Sequence, residues 1–272
     1  MDIGSVAHRP AGPVSDRGKR DPFGFLPTRH THGVNNEGYS TAVDCAAELD
    51  DPVGESLRGR HGHLSRWAGR AGTYLPEVAS FATVGNAPDE QTWDGLARLV
   101  GRGEIADMFS CPARPPADWE PVFALGGRRM IGPANRPEQP PGSSADVVEL
   151  GADSVAEMLE LTARTQPGPF GPRTHELGTY LGIRDHGRLV AMAGERLRPP
   201  GWTEISAVCT APEARGKGYA ARLVGELVAR IVARGERPFL HVVETNTGAI
   251  ALYERLGFRT RTQVTFRGFR IP

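Results

Sequence analysis

The chain has 272 residues, and its 32 Lys and Arg balance 32 Asp and Glu to a formal net charge of zero. This balance argues against partners bound by bulk electrostatics, such as nucleic acid or an anionic membrane surface. No apolar run approaches the ~20 residues that span a bilayer, and the N-terminus lacks the apolar stretch of a signal peptide. Three cysteines without regular spacing predict no disulfide framework and indicate a reducing, cytoplasmic compartment.

The composition along the chain predicts four regions. Residues 1–40 are rich in Pro, Gly, Arg and His without apolar periodicity, so we expect a disordered tail. Residues 41–134 are predicted to form an accessory domain, for which one interpretation is a degenerate copy of the domain that follows. Residues 135–145 are a Pro/Gly/Ser linker, and residues 146–272 form the C-terminal domain. Predicted elements of the accessory region are a strand over Ala79–Val84, a helix over Asp89–Val100, a short element over Gly103–Met108 and a strand over Val122–Leu125.

Two histidine pairs raise the question of a metal site. His30 and His32 form one pair, and His61 and His63 form the other. Neither pair comes with cysteines or with an H-E-x-x-H helix. We therefore expect solvated histidines and no metal.

The C-terminal domain begins with a strand over Val147–Leu150. Ser154 to Glu157 has the sequence of a capping box and predicts a helix that runs to about Arg164. The turn residues Asp185, His186 and Gly187 lie between two strand-like runs and predict a hairpin. Further predicted elements are strands over 204–209, 238–243 and 258–266, a long helix that Gly235 ends, and a short helix around Tyr253.

A glycine-rich turn, Arg215 to Ala220, joins the strand of residues 204–209 to the long helix. The helix is amphipathic, since Leu223, Val224, Leu227, Val228 and Ile231 follow the helical period. A glycine-rich turn at a helix start directs several backbone N–H groups and the positive end of the helix dipole to one place. The turn therefore predicts an anion site, most simply for a phosphate or pyrophosphate.

The spacing excludes two common phosphate-binding motifs. A nucleotide-hydrolysing P-loop requires Ser or Thr after the lysine, but Lys217 is followed by Gly218. A dinucleotide fingerprint requires a third glycine, and the chain has Ala221 in its place.

Two other patterns fit. Arg215, Gly218 and Ala220 fill [QR]-x-x-G-x-[GA], and the segment from Asn246 to Phe258 fills N-x-x-A-x-x-L-Y-x-x-x-G-F. These motifs resemble the coenzyme A pyrophosphate loop and the second signature of the GNAT superfamily of N-acetyltransferases. The resemblance extends over roughly residues 146–266. Two further segments, Ala191–Glu195 and Ser206–Thr210, resemble its glycine N-acyltransferase-like branch.

The resemblance implies an α/β fold, with a mixed sheet and helices on both faces, and acetyl-CoA as co-substrate without a metal. The pantetheine arm would pair with backbone groups of Val208, Cys209 and Thr210 between two splayed strands, and Asn246 would hydrogen-bond the same arm. The residues implied to bind pyrophosphate are Arg215, Gly216, Lys217, Gly218, Tyr219 and Ala220. Whether the Lys217 ammonium meets a phosphate or is solvated stays open, and Cys209 is interpreted as a small buried residue.

The resemblance also points to catalytic groups. Tyr253 lies where relatives place a general acid for the departing thiolate, although packing or cofactor binding is the alternative. Glu204, near the start of the strand that leads to the thioester, is a candidate general base, with its pKa raised by burial. Glu195 on the neighbouring strand is the second candidate, and both could also be ordinary strand residues.

The acceptor is not encoded in a motif. In relatives, the loop after the first helix forms a wall of the acceptor site, which here is Gln166–Thr174. Within it, Phe170 and Arg173 are candidates, and the arginine would recognise an acceptor carboxylate. The expected activity is acetyl transfer to the primary amine of a small molecule. The alternatives are a longer-chain N-acyltransferase of glycine-like acceptors and a non-catalytic acyl-CoA sensor.

Overall fold

The structure is a computed structural model that describes residues 46–135 and 146–272. The helices are α1 (Pro52–Arg58), α2 (Glu90–Val100), α3 (Val155–Thr165), α4 (Tyr219–Ala233) and α5 (Thr247–Arg255). The strands before the predicted linker are β1 (Ser65–Ala68), β2 (Ala71–Tyr74), β3 (Ala82–Thr83), β4 (Ile105–Met108) and β5 (Glu120–Ile131). Those after it are β6 (Val147–Glu149), β7 (Tyr180–Asp185), β8 (Arg188–Glu195), β9 (Trp202–Thr210), β10 (Arg237–Val243) and β11 (Arg259–Arg270).

A large sheet of eight strands dominates the fold, in the order β4-β11-β5-β10-β9-β8-β7-β6. Strands β9 and β10 are parallel, because α4 connects them as a crossover, and the other neighbours are antiparallel. The predicted mixed sheet with helices packed on it is thus confirmed.

Helix α4 forms where the apolar period predicted it. Its buried side chains include Leu223, Leu227 and Ile231, which join the main apolar core. The helix ends before Gly235, whose φ of 75° is the left-handed conformation that glycine adopts at little cost. The predicted glycine stop is confirmed.

The predicted hairpin is also present. Strands β7 and β8 pair antiparallel, and the turn residues His186 and Gly187 have φ values of 49° and 80°. Two consecutive left-handed residues are typical of the tight turns that match the twist of a hairpin.

The predicted capping box is wrong in its hydrogen bonds, although α3 begins next to it. The Ser154 side chain makes no capping hydrogen bond. Glu157 instead accepts from both terminal nitrogens of Arg184, at 2.7 and 2.5 Å. An ion pair between α3 and β7 therefore occupies the carboxylate that the motif assigned to the helix start.

Strands from both sides of the predicted linker share the large sheet. β11 pairs with β5 along most of its length and with β4 on its other edge, so residues 105–131 complete the sheet of the predicted C-terminal domain. The described residues accordingly belong to one compact unit. The remaining part, residues 46–104, contains α1, α2 and a small sheet of β1, β2 and β3. Its interpretation as a degenerate copy of the fold stays a prediction.

Some predictions fall on residues outside those described, namely the tail of residues 1–40, the pair His30 and His32, and most of the linker. His61 is a described residue, and it is buried, not solvated as expected. It is 2% exposed, and its ring nitrogens bind the Tyr74 hydroxyl and the Leu177 carbonyl oxygen at 2.8 and 3.0 Å. Of the helices in the described part, none has the length and apolar character needed to cross a membrane.

Candidate active site

Strands β9 and β10 pair only at their beginnings. The parallel register ends at Glu204 opposite Phe239, and beyond this point the two strands separate. A cavity of about 620 Å³ occupies the opening and is lined by Ile205 to Thr210 on one side and His241 to Val243 on the other. The gap leaves one edge of each strand without its sheet partner.

A bulge in β9 shapes the cavity wall. Ala207 has a φ of 51°, and the pairing of β8 with β9 shifts register between Met192 and Gly194. A bulge of this kind re-aims the backbone that follows it. Val208, Cys209 and Thr210, the predicted pantetheine partners, all line the cavity. Burial raises the pKa of the Cys209 thiol, so it is a weak nucleophile there.

The predicted pyrophosphate loop follows directly. Gly216 and Gly218 have φ values of 79° and 77°, and the space where a Cβ would stand is open at both. Helix α4 begins at Tyr219 without a side-chain cap, so side chains leave its first N–H groups, including that of Ala220, free for an anion. Arg215 lines the cavity and thereby connects it to the loop.

The lysine of the loop has a protein partner. Lys217 Nζ lies 3.3 Å from Asp185 Oδ2, and both side chains are substantially exposed. An exposed pair of this kind contributes only ~0–1 kcal/mol, so a phosphate would displace it easily.

Asn246 and Tyr253 belong to α5 and line the same cavity. Asn246 is the N-cap, and its side-chain oxygen accepts from the Ala249 N–H at 3.2 Å. Its amide nitrogen takes no part in the cap and is available as a donor. The Tyr253 side chain is 7% exposed, and burial raises its pKa to about 12. No described residue hydrogen-bonds its hydroxyl, which stays protonated at neutral pH.

The structure overturns the predicted state of Glu204. Its carboxylate is fully buried and accepts from Arg196 at 2.8 and 2.6 Å, and from the Nδ1 of His241 at 2.7 Å. Burial alone would raise its pKa, but Arg196 and His241 outweigh burial and lower the pKa to about 2. A carboxylate so strongly held is a poor proton acceptor, and it lies behind the cavity wall.

The second predicted base is no better placed. Glu195 is 1% exposed, and its two oxygens bind the Arg234 guanidinium at 2.7 Å and the Thr179 N–H at 3.2 Å. It does not reach the cavity.

The loop predicted to form the acceptor wall, Gln166–Thr174, reaches the cavity with its first half. Residues 166–169 line the cavity. Arg173 lies away from it and binds both oxygens of Glu176 at 2.7 and 2.8 Å. Phe170 packs edge-on against Tyr180 in the core. Neither side chain is positioned to recognise an acceptor carboxylate.

Several residues that line the cavity were not predicted from the sequence. These are the ionisable side chains of Asp107, Arg196 and His241 and the rings of Phe81, Phe109, Phe123 and Phe266. They lie in or next to β3, β4, β5, β8, β10 and β11, and they share no motif spacing. The alternation of buried Ala106 and Met108 around Asp107 was the only available signal, because it places the carboxylate on the opposite face of β4.

Comparison with known proteins agrees with this geometry. Residues 180–267 match the family of FR47-like proteins. The N-alpha-acetyltransferase RimI of Mycobacterium tuberculosis is 37% identical over 128 residues, which cover 44% of this chain and 79% of that protein.

Solved structures extend the comparison over the whole fold. A protein from Novosphingobium aromaticivorans assigned to the GNAT family of acetyltransferases is 38% identical, with a TM-score of 0.72, over 82% of this chain and 98% of that one. A GCN5-related N-acetyltransferase from Kribbella flavida shares the fold at 16% identity, with a TM-score of 0.56, over 84% and 97% of the two chains. Because RimI and the Novosphingobium protein are both matched over most of their own length, this chain belongs to the GNAT family of N-acetyltransferases.

Proposed function

We propose that the chain transfers an acetyl group from acetyl-CoA directly to the primary amine of a small-molecule acceptor. One observation carries the proposal. A single cavity borders the open edge of β9, the Asn246 amide and the Tyr253 hydroxyl, and it reaches Arg215, where the glycine loop begins.

The loop and the cavity together suit the two ends of coenzyme A. The loop presents left-handed glycines and the uncapped start of α4, an arrangement that favours a pyrophosphate. The backbone of Val208 to Thr210 offers donors and acceptors in extended form, which is what the two amides of a pantetheine arm require. In this arrangement a β9 N–H polarises the thioester carbonyl.

The transfer itself needs a neutral amine and a proton for the leaving thiolate. The amine nitrogen attacks the thioester carbon, the C–S bond breaks, and Tyr253 donates its hydroxyl proton to the sulfur. The nitrogen then loses one proton, which restores the Tyr253 hydroxyl. A buried phenol with a pKa of about 12 is protonated throughout the physiological range and is therefore always ready to donate.

The acceptor could instead be the α-amino group of a polypeptide, because the RimI relative is named an N-alpha-acetyltransferase. The walls of the cavity favour a small molecule. Four phenylalanine rings and the Pro167–Pro169 segment line its acceptor side, and they bound a volume suited to a compact apolar group.

Release of free CoA thiol measures the reaction for both acceptor types. We expect turnover with acetyl-CoA and small primary amines, and little with peptides whose N-terminus is free. Parallel runs with longer acyl-CoA donors test the alternative of a longer-chain acyltransferase, which predicts faster turnover as the chain grows. Turnover confined to peptides would contradict the small-molecule acceptor and favour the second candidate.

A further inference from the structure

Asp107 is a carboxylate in the cavity wall that the transfer chemistry above does not use. Ala106 and Met108 point into a second apolar core with α2, so Asp107 lies on the opposite face of β4. It is 9% exposed and lines the cavity. Its Oδ2 accepts from the Ser80 hydroxyl at 2.6 Å, and no other described side chain hydrogen-bonds the carboxyl group. Oδ1 is therefore left for a ligand.

The other ionisable side chains at the Asp107 end of the cavity are either paired with an opposite charge or neutral. Arg196 stacks over Phe81 and Phe109 at 4.9 and 4.6 Å, but its charge is matched by the two hydrogen bonds to Glu204. Burial lowers the pKa of His241 to about 4, against the opposing effect of Glu204, so the imidazole is neutral at pH 7.

The other cationic side chains near this site bind partners other than Asp107. Arg129 donates to His241 and Ser110, and Arg267 on β11, the neighbour of β4, donates to the carbonyl oxygens of Cys111 and Ala113. The residues of α2 that pack on β4, Trp93 and Leu96, are apolar. Asp107 is thus the ionisable group at the cavity surface whose charge lacks a paired cation among the described residues.

Burial raises the pKa of Asp107, while the Ser80 hydrogen bond and Arg196 oppose that rise. A carboxylate in this state has a higher proton affinity than a solvated one, and it gains most from a cation that enters the cavity. The rings beside it pack together: the Phe109 ring centroid lies 4.5 Å from that of Phe81, in a tilted arrangement, and 4.8 Å from that of Phe266, in a stacked one. Aromatic faces favour both apolar groups and cations.

We propose that Asp107 binds the ammonium group of the acceptor and removes its proton, and that the acceptor is a primary amine carried on an apolar body. The inference rests on the proposed acetyl transfer. The ammonium gives one proton to Asp107 Oδ1, which later releases it to solvent. The neutral amine then forms the C–N bond as the C–S bond breaks. Tyr253 protonates the thiolate and regains a proton from the nitrogen.

Two probe amines and three variants test the proposal. For the wild type we expect kcat/KM to be higher with 2-phenylethylamine than with 2-aminoethanol, and to rise with pH through the pKa of Asp107. Asp107→Asn should lower kcat/KM for 2-phenylethylamine roughly a hundredfold, which is within the usual contribution of a general base. Its CoA affinity, measured by calorimetry, should be unchanged. Asp94→Asn, on the exposed side of α2, removes a negative charge away from the cavity and should change neither value.

The pH profile of the variant Ser80→Ala is a second test. A purely structural role of Asp107 would leave this profile unchanged. Loss of the Ser80 hydrogen bond raises the pKa of Asp107, so the acid limb of the kcat/KM profile should shift to higher pH. Full activity of Asp107→Asn, or an unshifted limb in a folded Ser80→Ala protein, would overturn the proposal. A wild type that neither binds CoA nor acetylates any amine would instead refute the proposed function itself.

Discussion

The Arg196 guanidinium and the Glu204 carboxylate form a two-pronged ion pair, with Nε to Oε2 at 2.8 Å and Nη2 to Oε1 at 2.6 Å. Both residues are buried, and His241 adds a third hydrogen bond to the same carboxylate. The pair lies where β9 and β10 part, since Glu204 is opposite Phe239 in the last register position. We infer that this cluster fixes the point at which the cavity opens.

Glu204→Gln should therefore destabilise the protein. The variant leaves the buried Arg196 charge without its anion, and breaking a buried pair from one side costs about 3–5 kcal/mol. Urea denaturation measures the loss, and Glu160→Gln is the control, because Glu160 pairs with Arg188 at the surface and should cost less than about 1 kcal/mol. A stable Glu204→Gln protein that lost only the acid limb of its activity profile would show that Glu204 is the base after all.

Stability should fall between pH 6.5 and pH 4. Burial lowers the pKa of His61 from 6.5 to about 4, so the unfolded chain binds this proton more readily than the folded one. A depressed folded pKa gives stability that is complete above the unfolded pKa and is lost as pH falls, on the order of 3 kcal/mol for a shift of this size.

The variant His61→Gln isolates this contribution. Its unfolding free energy should depend less on pH across that window, although His241, whose pKa is also about 4, keeps part of the slope. Denaturant titrations at several pH values make the comparison. An unchanged slope in His61→Gln would contradict the assignment of a buried neutral imidazole.

Tyr253→Phe separates proton donation from binding. The ring and its packing against Phe258, at 5.9 Å, are retained, while the hydroxyl is lost. If the hydroxyl protonates the leaving thiolate, kcat should fall at least ~10-fold, with the CoA dissociation constant nearly unchanged. Tyr180→Phe is the matched control, because no residue in the described part of the chain hydrogen-bonds its buried hydroxyl, which lies outside the cavity. Weaker CoA binding with a normal kcat would assign Tyr253 to cofactor binding instead.

The sequence was informative where the determinants are local. The glycine-rich turn before α4, the end of that helix at Gly235, its buried face and the hairpin at Asp185 to Gly187 were all predicted correctly. Each of these features depends on residues close together in the sequence, so each could be predicted without knowing the fold.

The ionisation of the site could not be predicted in the same way. Glu204 was expected to have a raised pKa, but its partners come from either side of β9: Arg196 directly follows β8, and His241 lies in β10. Asp107 reaches the cavity because β4 pairs with the far end of β11, a contact between residues more than 150 positions apart. Long-range pairing of this kind also placed β4 and β5 in the large sheet, across the predicted linker.

The central claim is that coenzyme A binds at the loop of residues 215–220, and Gly218→Asp tests it most directly. The new carboxylate would stand at the start of α4, where the pyrophosphate is proposed to lie. Gly201→Asp is the matched control, since Gly201 also has a positive φ, 75°, and open space at its Cβ, but lies outside the cavity. Calorimetric titration with CoA should show binding in the wild type and in Gly201→Asp, and its near loss in a folded Gly218→Asp protein. Equal CoA affinity in all three proteins would contradict the account.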